Sequence, residues 1–447
     1  MILRLPLYAE SCIIIDRFAL FWSGAVCLIF CRNRIMSIEK RGMVRCAMTK
    51  ASAVAVGLIA SSAAWSEPGH VDVGPFKVEP TAATQLSYID NLYRSPEDET
   101  SSMEFELTAA MRAFMQSGGT DFEVNAEITQ DWYSESSDDD VTDYSVGFSL
   151  DQSLTGQQQV SLSGDFSRSH EDRGSGLSQG GAAGLSGNDA PVEFDTKKFA
   201  GSYTLSDFGF VIDRLTLDVS NSEKEYVNFK DVTEIFDTDT FGYGAKLEMD
   251  LTGKTSVNIA GNWSDIDYPN PKADTVSLSA EEFTATVGIT WEATAKTTGS
   301  ISVGYYDREF DDPARPDDDG PRWDASVTWN PKTYTSFTFT SSQTSDGTRG
   351  FDVVTTGDYI STENYGVAWN YSFKSGASTS VSWSLGANEY VGSEREDDRT
   401  TWRAEYTREL DRWIFFNAGY EYEELDSTDP SLSYDRNMIY FGLDMTL

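Results

Sequence analysis

The feature that most constrains this chain is an alternation of apolar and polar residues, repeated in segments of about ten residues from Val78 to Leu447. In the segment 103–115, the odd positions carry Met, Phe, Leu and Ala, whereas the even positions include Glu104 and Arg112. Successive side chains of a β-strand point to opposite faces. Each segment is therefore predicted to be a strand with one apolar face and one polar face.

Eighteen segments follow this pattern, and they reach the length of about 9–11 residues that a membrane-crossing strand needs. Lipid cannot satisfy an unpaired strand edge, so membrane-crossing strands must close into a ring. The predicted strands are 78–89, 103–115, 121–133, 141–154, 159–169, 194–205, 210–221, 237–251, 255–266, 280–292, 298–308, 321–330, 334–343, 362–374, 379–390, 400–410, 413–423 and 435–447.

The connections between these strands alternate between short and long, as in bacterial barrels with short periplasmic turns and long outer loops. The short ones include 116–120, 252–254 and 375–378, and the long ones include 90–102, 168–193, 222–236, 309–320, 344–361 and 424–434. A soluble β-sandwich is the alternative, but it needs a bulky apolar core between its sheets. The predicted fold is all-β: a transmembrane antiparallel up-and-down β-barrel of about 18 strands, with both termini in the periplasm.

The start of the chain predicts export to the outer membrane of a Gram-negative bacterium. Residues 48–66 have the basic start, apolar run and small-residue end of a cleaved signal peptide. Residues 1–47 are interpreted as an extension upstream of the true start, with a membrane anchor as the alternative. The predicted order is an extension at 1–47, a signal peptide at 48–66, a short periplasmic segment at 67–77 and the barrel at 78–447.

Composition excludes several functions. The formal net charge of −38 argues against a nucleic-acid partner, because phosphate binding needs basic clusters. All four cysteines precede the predicted barrel, which rules out a disulfide framework or thiolate metal site there. Catalytic residues, metals and cofactors are not predicted. His170 near Ser167 and Ser169 raises the alternative of a lipid-acting esterase at the rim, but a solvated loop histidine is favoured.

The polar faces of the strands are predicted to line a water-filled pore. Rings of carboxylates favour cations, although cross-strand ion pairs that brace the wall are an equal alternative. Asp131 belongs to this inward face, and the predicted pore-lining residues are Glu104, Glu106, Arg112, Glu123, Glu127, Asp143, Lys246, Glu248, Asp324, Arg403 and Glu405.

Aromatic and carboxyl-terminal residues provide two further predictions. Amphipathic rings favour the lipid–water interfaces, so an aromatic girdle is predicted at Trp132, Trp263, Trp291, Trp329 and Trp413. The last strand has an apolar face similar to the signal read by the barrel-assembly machinery, although that signal typically ends in an aromatic residue. Its predicted residues are Phe441, Leu443, Met445 and Leu447.

The block Gly74–Pro80, followed by Leu86–Asn91, resembles the opening of the putative β-barrel porin 2 family, and Arg168–Gly174 is similar to a charged stretch in that family. The resemblance implies an outer-membrane barrel, often associated with exopolysaccharide or capsule production, without catalytic residues.

Four functions remain open at this point. The first is a porin-like channel that acts as a conduit in exopolysaccharide or capsule export, and the second is a general or cation-preferring diffusion porin. A rim-located lipid-acting enzyme and a surface structural barrel are the others. The expected partners are outer-membrane lipid, lipopolysaccharide and the barrel-assembly machinery, with polysaccharide and export components for the first function. The oligomeric state is not predicted.

Overall fold

The computed structural model describes residues 69–181, 190–207, 212–271, 276–294, 296–347 and 359–446. The predicted extension at 1–47 and signal peptide at 48–66 lie outside these residues. The strands are β1 Val71–Val73, β2 Phe76–Ile89, β3 Ser102–Ser117, β4 Thr120–Tyr133, β5 Val141–Ser153, β6 Gln158–Glu171, β7 Val192–Ser206, β8 Arg214–Tyr226, β9 Thr238–Thr252, β10 Thr255–Asp267, β11 Ala280–Thr294, β12 Thr297–Phe310, β13 Asp318–Lys332, β14 Thr335–Gly347, β15 Tyr359–Ser372, β16 Ala377–Val391, β17 Glu396–Asp411, β18 Ile414–Ser427 and β19 Tyr434–Thr446.

Strands β2 to β19 form a closed antiparallel barrel. Each pairs with its neighbours in sequence, and β19 returns to pair with β2 from Met438 opposite Ile89 to Thr446 opposite Thr81. The prediction of an 18-stranded up-and-down barrel is confirmed. Strand β1 adds a short hairpin on β2, with Val71 opposite Val78.

The two faces of the wall follow the alternation. Phe105 is paired with Leu86 and Trp132, and both Phe105 and Leu86 remain exposed although they are large and apolar. A continuous apolar belt of this kind is the lipid-facing surface of a membrane barrel. The neighbouring Glu104 points to the lumen, where it is paired with Ser87 and Tyr133.

The two ends of the barrel differ. Gly118 and Gly119 join β3 and β4 at one end, with φ angles of +60° and +83°, which a two-residue hairpin turn requires. At the other end, here called the mouth, lie loop 1 (90–101), loop 2 (134–140), the described parts of loop 3 (172–181 and 190–191), loop 4 (227–237) and loop 8 (392–395).

The described helical segments lie at the mouth. Helix α1, Lys230–Thr233, and the 3-10 turn Glu234–Phe236 belong to loop 4, while the 3-10 turns Ser137–Asp139 and Gly176–Gly181 belong to loops 2 and 3. None of the helices in the described residues is long and apolar enough to cross a membrane. Buried apolar residues such as Ile89, Leu177 and Leu425 cluster at this end, because the loops fold back over the strand ends.

Candidate functional site

Loop 3 reaches across the mouth. It follows β6, yet Gln179 Oε1 accepts a hydrogen bond of 2.9 Å from Arg395 Nη2 in loop 8, which joins β16 to β17. These strands stand on nearly opposite sides of the ring of eighteen. The described part of loop 3 therefore narrows the opening rather than extending away from it.

Arg94 of loop 1 fastens loop 3 to the wall. Its guanidinium donates to Asp172 Oδ2 at 2.9 Å, to the Arg173 carbonyl at 3.0 Å and to Glu423 Oε2 on β18 at 3.4 Å. Only 6% of its side chain is exposed, so these contacts are largely shielded from water. We call this group of contacts the Arg94 latch.

The charges of the latch stabilise one another. Burial disfavours the Arg94 charge, but Glu423 and Asp172 outweigh it and raise the pKa of Arg94 above its usual value. Partial desolvation beneath the loops disfavours the half-exposed Asp172 carboxylate. The positive charges of Arg94 and Arg436 outweigh this effect and lower the pKa of Asp172. Both groups therefore remain ionised at neutral pH.

A second contact ties loops 1, 2 and 3 together around Asp139. The Tyr93 hydroxyl donates to Asp139 Oδ2 at 2.8 Å, and Arg173 Nε lies 3.1 Å from Asp139 Oδ1. Burial and the Asp139 carboxylate raise the pKa of Tyr93 to about 12. Gly174, at φ +72°, passes so close that a Cβ there would lie 2.0 Å from the Tyr93 carbonyl oxygen. Glycine is therefore required at this crossing.

Loop 3 also has an apolar anchor. Leu177 packs with loop 4 and the ends of β7 and β8 in a buried cluster with Val192, Tyr226, Ile235 and Phe236. Loop 3 is thus held by a small hydrophobic core on one side and by ion pairs on the other.

Beneath these loops lies a cavity of about 570 Å³ with an acidic wall. We call it the acidic cavity. Six carboxylates line it: Asp172 comes from loop 3, and the other five come from three adjacent strands, namely Glu104, Glu106, Glu127, Asp131 and Asp143.

The bases beside this cavity already have partners. Arg168 makes two hydrogen bonds to Asp195, at 2.7 and 2.8 Å. His170 Nδ1 lies 3.0 Å from Asp143 Oδ2. Two of the acids accept neutral donors, since Glu104 accepts from the Tyr133 hydroxyl and Glu106 from Thr108. The cavity therefore carries excess negative charge.

The position of His170 corrects one interpretation of the sequence. The histidine is not a solvated loop residue, because it belongs to β6 and its side chain is 13% exposed. Among the described residues, its ring bonds to Asp143 and forms no hydrogen bond with Ser167 or Ser169. A serine–histidine pair for esterase chemistry is therefore not formed.

Six of the remaining predicted pore-lining residues form local ion pairs in the described barrel, and Asp324 is not one of the six. Arg112 bridges Glu123 at 2.6 Å and Glu79 at 3.2 Å, and Arg403 lies 3.4 Å from Glu405. Glu248 is paired with Arg214 at 2.9 Å and with Lys246 at 3.4 Å. In the described lumen, one part of the wall is therefore braced by ion pairs and another is left acidic.

Residues of the latch were not predicted from the alternation. Arg94 and Asp172 lie in loops, where no period exists to assign a face. The available signal was the charged stretch Arg168–Gly174, which contains Asp172 and the crossing glycine.

The predicted girdle residues fall at both ends of the strands. Trp132 stacks on Phe105 and Trp263 on Tyr243 toward the mouth, whereas Trp329 stacks on Phe337 at the short-turn end. Trp291 and Trp413 also lie at the short-turn end. Their contact with lipid stays a prediction.

The predicted assembly signal lies on β19. Phe441 and Leu443 are exposed on its outer face, next to Met445. Leu447 lies outside the described residues, and recognition by the assembly machinery stays a prediction. Within the described residues, no group of three or more Asp, Glu, His or Cys side chains is placed to hold a metal ion.

A family model described as putative beta-barrel porin 2 matches residues 67–447. No curated protein matches the chain. Among solved structures, OccAB2 of Acinetobacter baumannii is 14% identical, with a TM-score of 0.47, over 84% of this chain and 98% of that one. OpdK of Pseudomonas aeruginosa, solved with vanillate, is 10% identical, with a TM-score of 0.47, over 83% and 99%. The siderophore receptor PirA of A. baumannii is 8% identical, with a TM-score of 0.45, over 83% and 80%.

Proposed function

Because the chain belongs to the putative β-barrel porin 2 family, we propose that it is a passive outer-membrane channel that conducts cations and neutral hydrophilic solutes in preference to anions. The observation that carries this proposal is the acidic cavity directly beneath the loops that narrow the mouth. A solute that passes loop 3 meets six carboxylates, and the bases in the described lining, Arg168 and His170, are each paired with a carboxylate of the protein.

The physical reason is electrostatic. Fixed charges in a narrow pore with a low-dielectric wall raise the local concentration of counter-ions and lower that of co-ions. The ion pairs further along the wall, such as Arg112 with Glu123, are close to neutral and contribute little to this field. Selectivity is therefore expected to arise at the mouth.

The test is the reversal potential of the purified channel in a planar bilayer with a KCl gradient. We expect a potential of the sign for K⁺ preference, reduced in the variant Glu127→Gln. The matched control is Asp324→Asn, which removes the same charge from β13 on the opposite wall. Anion preference, or no conductance by the folded barrel, would contradict the proposal.

The second candidate is a conduit in exopolysaccharide or capsule export, and the family resemblance favours it. A polymer needs a wider opening than a small ion, so loop 3 would have to move. Its attachment by ion pairs and a small apolar cluster makes such a movement less costly than unfolding a strand. The acidic wall suits a neutral or amino-sugar polymer better than an acidic one.

Deletion of the gene tests this second function. Loss of surface polysaccharide, restored by the wild-type chain, would support export. Neighbouring genes for glycosyltransferases would support it further. An unchanged polysaccharide layer together with cation conductance would leave the diffusion channel as the function.

Enzymatic activity is not part of the proposal. The family is one of porins, and the only rim histidine in the described barrel is bonded to a carboxylate rather than to a serine. Export through a cleaved signal peptide is part of it. The purified protein is expected to begin between residues 65 and 67, which sequencing of its amino terminus would check.

A further inference from the structure

We infer that the acidic cavity is a binding site for an organic cation that carries two or more ammonium groups, such as a linear polyamine. The inference rests on the proposed function, since it names the class of solute that the channel holds during passage.

The first observation is an unpartnered carboxylate. Asp131 lines the cavity and is 6% exposed, and its buried Oδ1 has no hydrogen-bond donor among the described residues. A buried carboxylate oxygen without a donor or a counter-charge is costly, and such groups in native proteins usually have a functional explanation. A cationic ligand in the cavity would provide both the donor and the charge.

The second observation is a contrast within the same lumen. Glu282 is paired with Arg308 at 2.7 Å and with Arg322 at 2.8 Å. Asp397 is paired with Arg395. Each of these enclosed carboxylates has an arginine of the protein beside it.

The acidic cavity does not follow that rule. In the described part of the chain, Glu106, Glu127 and Asp131 form no ion pair with any lysine or arginine. The neighbouring Arg168 forms its ion pair with Asp195 instead. Like charges in one cavity repel one another, and a cation from solution relieves that repulsion.

The geometry favours an extended organic cation over a metal ion. The carboxylates are spread along their strands, where residues four apart, such as Glu127 and Asp131, are separated by about 13 Å. This spread agrees with the finding that no described group of acids could chelate a metal. A volume of about 570 Å³ is in the range of small-molecule sites. The ring of Tyr133 in the same wall offers a face for an ammonium group.

The experiment uses the full chain, reconstituted in planar bilayers, with spermidine added on the side of the long loops. We expect a concentration-dependent block of the K⁺ current. The variant Asp131→Asn is expected to raise the half-blocking concentration about tenfold, as removal of one charge contact would. The control Asp324→Asn removes the same charge from the opposite wall and is expected to change it less than twofold.

A second variant guards against a folding defect at Asp131. Thr129 lines the same cavity, and Thr129→Arg would place a guanidinium of the protein among the carboxylates. It is expected to abolish the block while all six acids remain. The heat-dependent gel mobility of each variant reports whether the barrel has formed.

Three outcomes would overturn the inference. A cation-selective wild-type channel that spermidine does not block refutes the site and leaves the proposed function standing. Equal block of wild type and folded Thr129→Arg also refutes the site. Block by Mg²⁺ at the same concentration, with the same dependence on Asp131, would assign the cavity to a hydrated divalent ion instead. Absence of cation selectivity in the wild type is a different result, because it refutes the proposed function itself.

Discussion

Replacing Arg94 by alanine removes the guanidinium that joins loop 1, loop 3 and β18. We expect this change to release loop 3 from the wall without unfolding the barrel, because the contacts of Arg94 are with loop residues and with one strand end. Glu423 is not left unpaired in the variant, since Arg399 and Arg436 each lie 3.5 Å from it.

The magnitude follows from the individual contacts. The partly buried hydrogen bond to the Arg173 carbonyl and the longer, buried contact with Glu423 each contribute about 1–1.5 kcal/mol. The Asp172 carboxylate is 56% exposed, so its pair adds about 0.5 kcal/mol after solvent screening. A total of about 3 kcal/mol corresponds to a shift of about a hundredfold toward the released loop.

Hydrogen exchange and single-channel recording measure this shift. Amides of loop 1 and of residues 172–181 are expected to exchange up to about a hundredfold faster, with strand amides unchanged and a larger mean conductance. The control is Arg112→Ala, which breaks half-exposed ion pairs at the short-turn end and leaves loop 3 untouched. Unchanged exchange in loop 3, or equal effects in both variants, would refute the role of the latch.

Three further perturbations address the same loop. Gly174→Ala places a Cβ about 2.0 Å from the Tyr93 carbonyl oxygen, so loop 3 is expected to be displaced and the conductance raised; wild-type conductance would contradict this. Leu177→Ala removes a side chain that is only 3% exposed, and it is expected to weaken the attachment of loop 3 by about 2 kcal/mol. This value is near the lower end for core leucines because the cluster is small. The measurement is faster hydrogen exchange in loops 3 and 4. The lowered pKa of Asp172 means that its pair with Arg94 stabilises the closed loop above the ordinary carboxyl range. That contribution is lost only as the pH falls through the lowered value. Exchange of the amides of residues 172–181, corrected for its intrinsic pH dependence, is therefore expected to stay slow from pH 7 to about pH 4 and to become faster below it; faster exchange already near pH 6 would assign the change to another group.

The strands could be predicted because their signal is local. Adjacent residues within each strand indicate its apolar and its polar face. Eighteen such strands leave no unpaired strand edge only when they close into a ring. The largest error lies in β8, which was predicted at 210–221 and is observed at Arg214–Tyr226. Its last residues are charged and resemble a loop, but Glu223 pairs with Lys197 on the neighbouring strand at 2.8 Å. A cross-strand partner thus extends the strand beyond its apolar pattern.

The arrangement of the mouth could not be predicted for the opposite reason. Arg94 and Glu423 are separated by 329 residues, and nothing in either sequence neighbourhood specifies the other. The charge composition predicts that acidic and basic side chains will form ion pairs in the lumen. Which acid pairs with which base is determined only when the strands close into the ring. The acidic wall was predicted as a face, whereas its shortage of unpaired bases in the described lining depends on cross-strand pairs such as that of Arg168 with Asp195.

The assignment of charges separates acids that hold the barrel together from acids that act on solutes, and two substitutions test this distinction. Glu423 is 8% exposed and lies within 4 Å of Arg94, Arg399 and Arg436. Glu423→Gln removes the buried carboxylate that these three guanidinium groups share, which is expected to cost about 3 kcal/mol or more of unfolding free energy. Glu127→Gln removes the same charge from a cavity of like charges, so stability is expected to stay equal or to rise while cation preference falls. Urea unfolding followed by gel mobility gives the first quantity, and the reversal potential gives the second. If Glu127→Gln destabilised the barrel as much as Glu423→Gln, the acidic cavity would be part of the structural framework, and its excess charge would no longer indicate a site for cations.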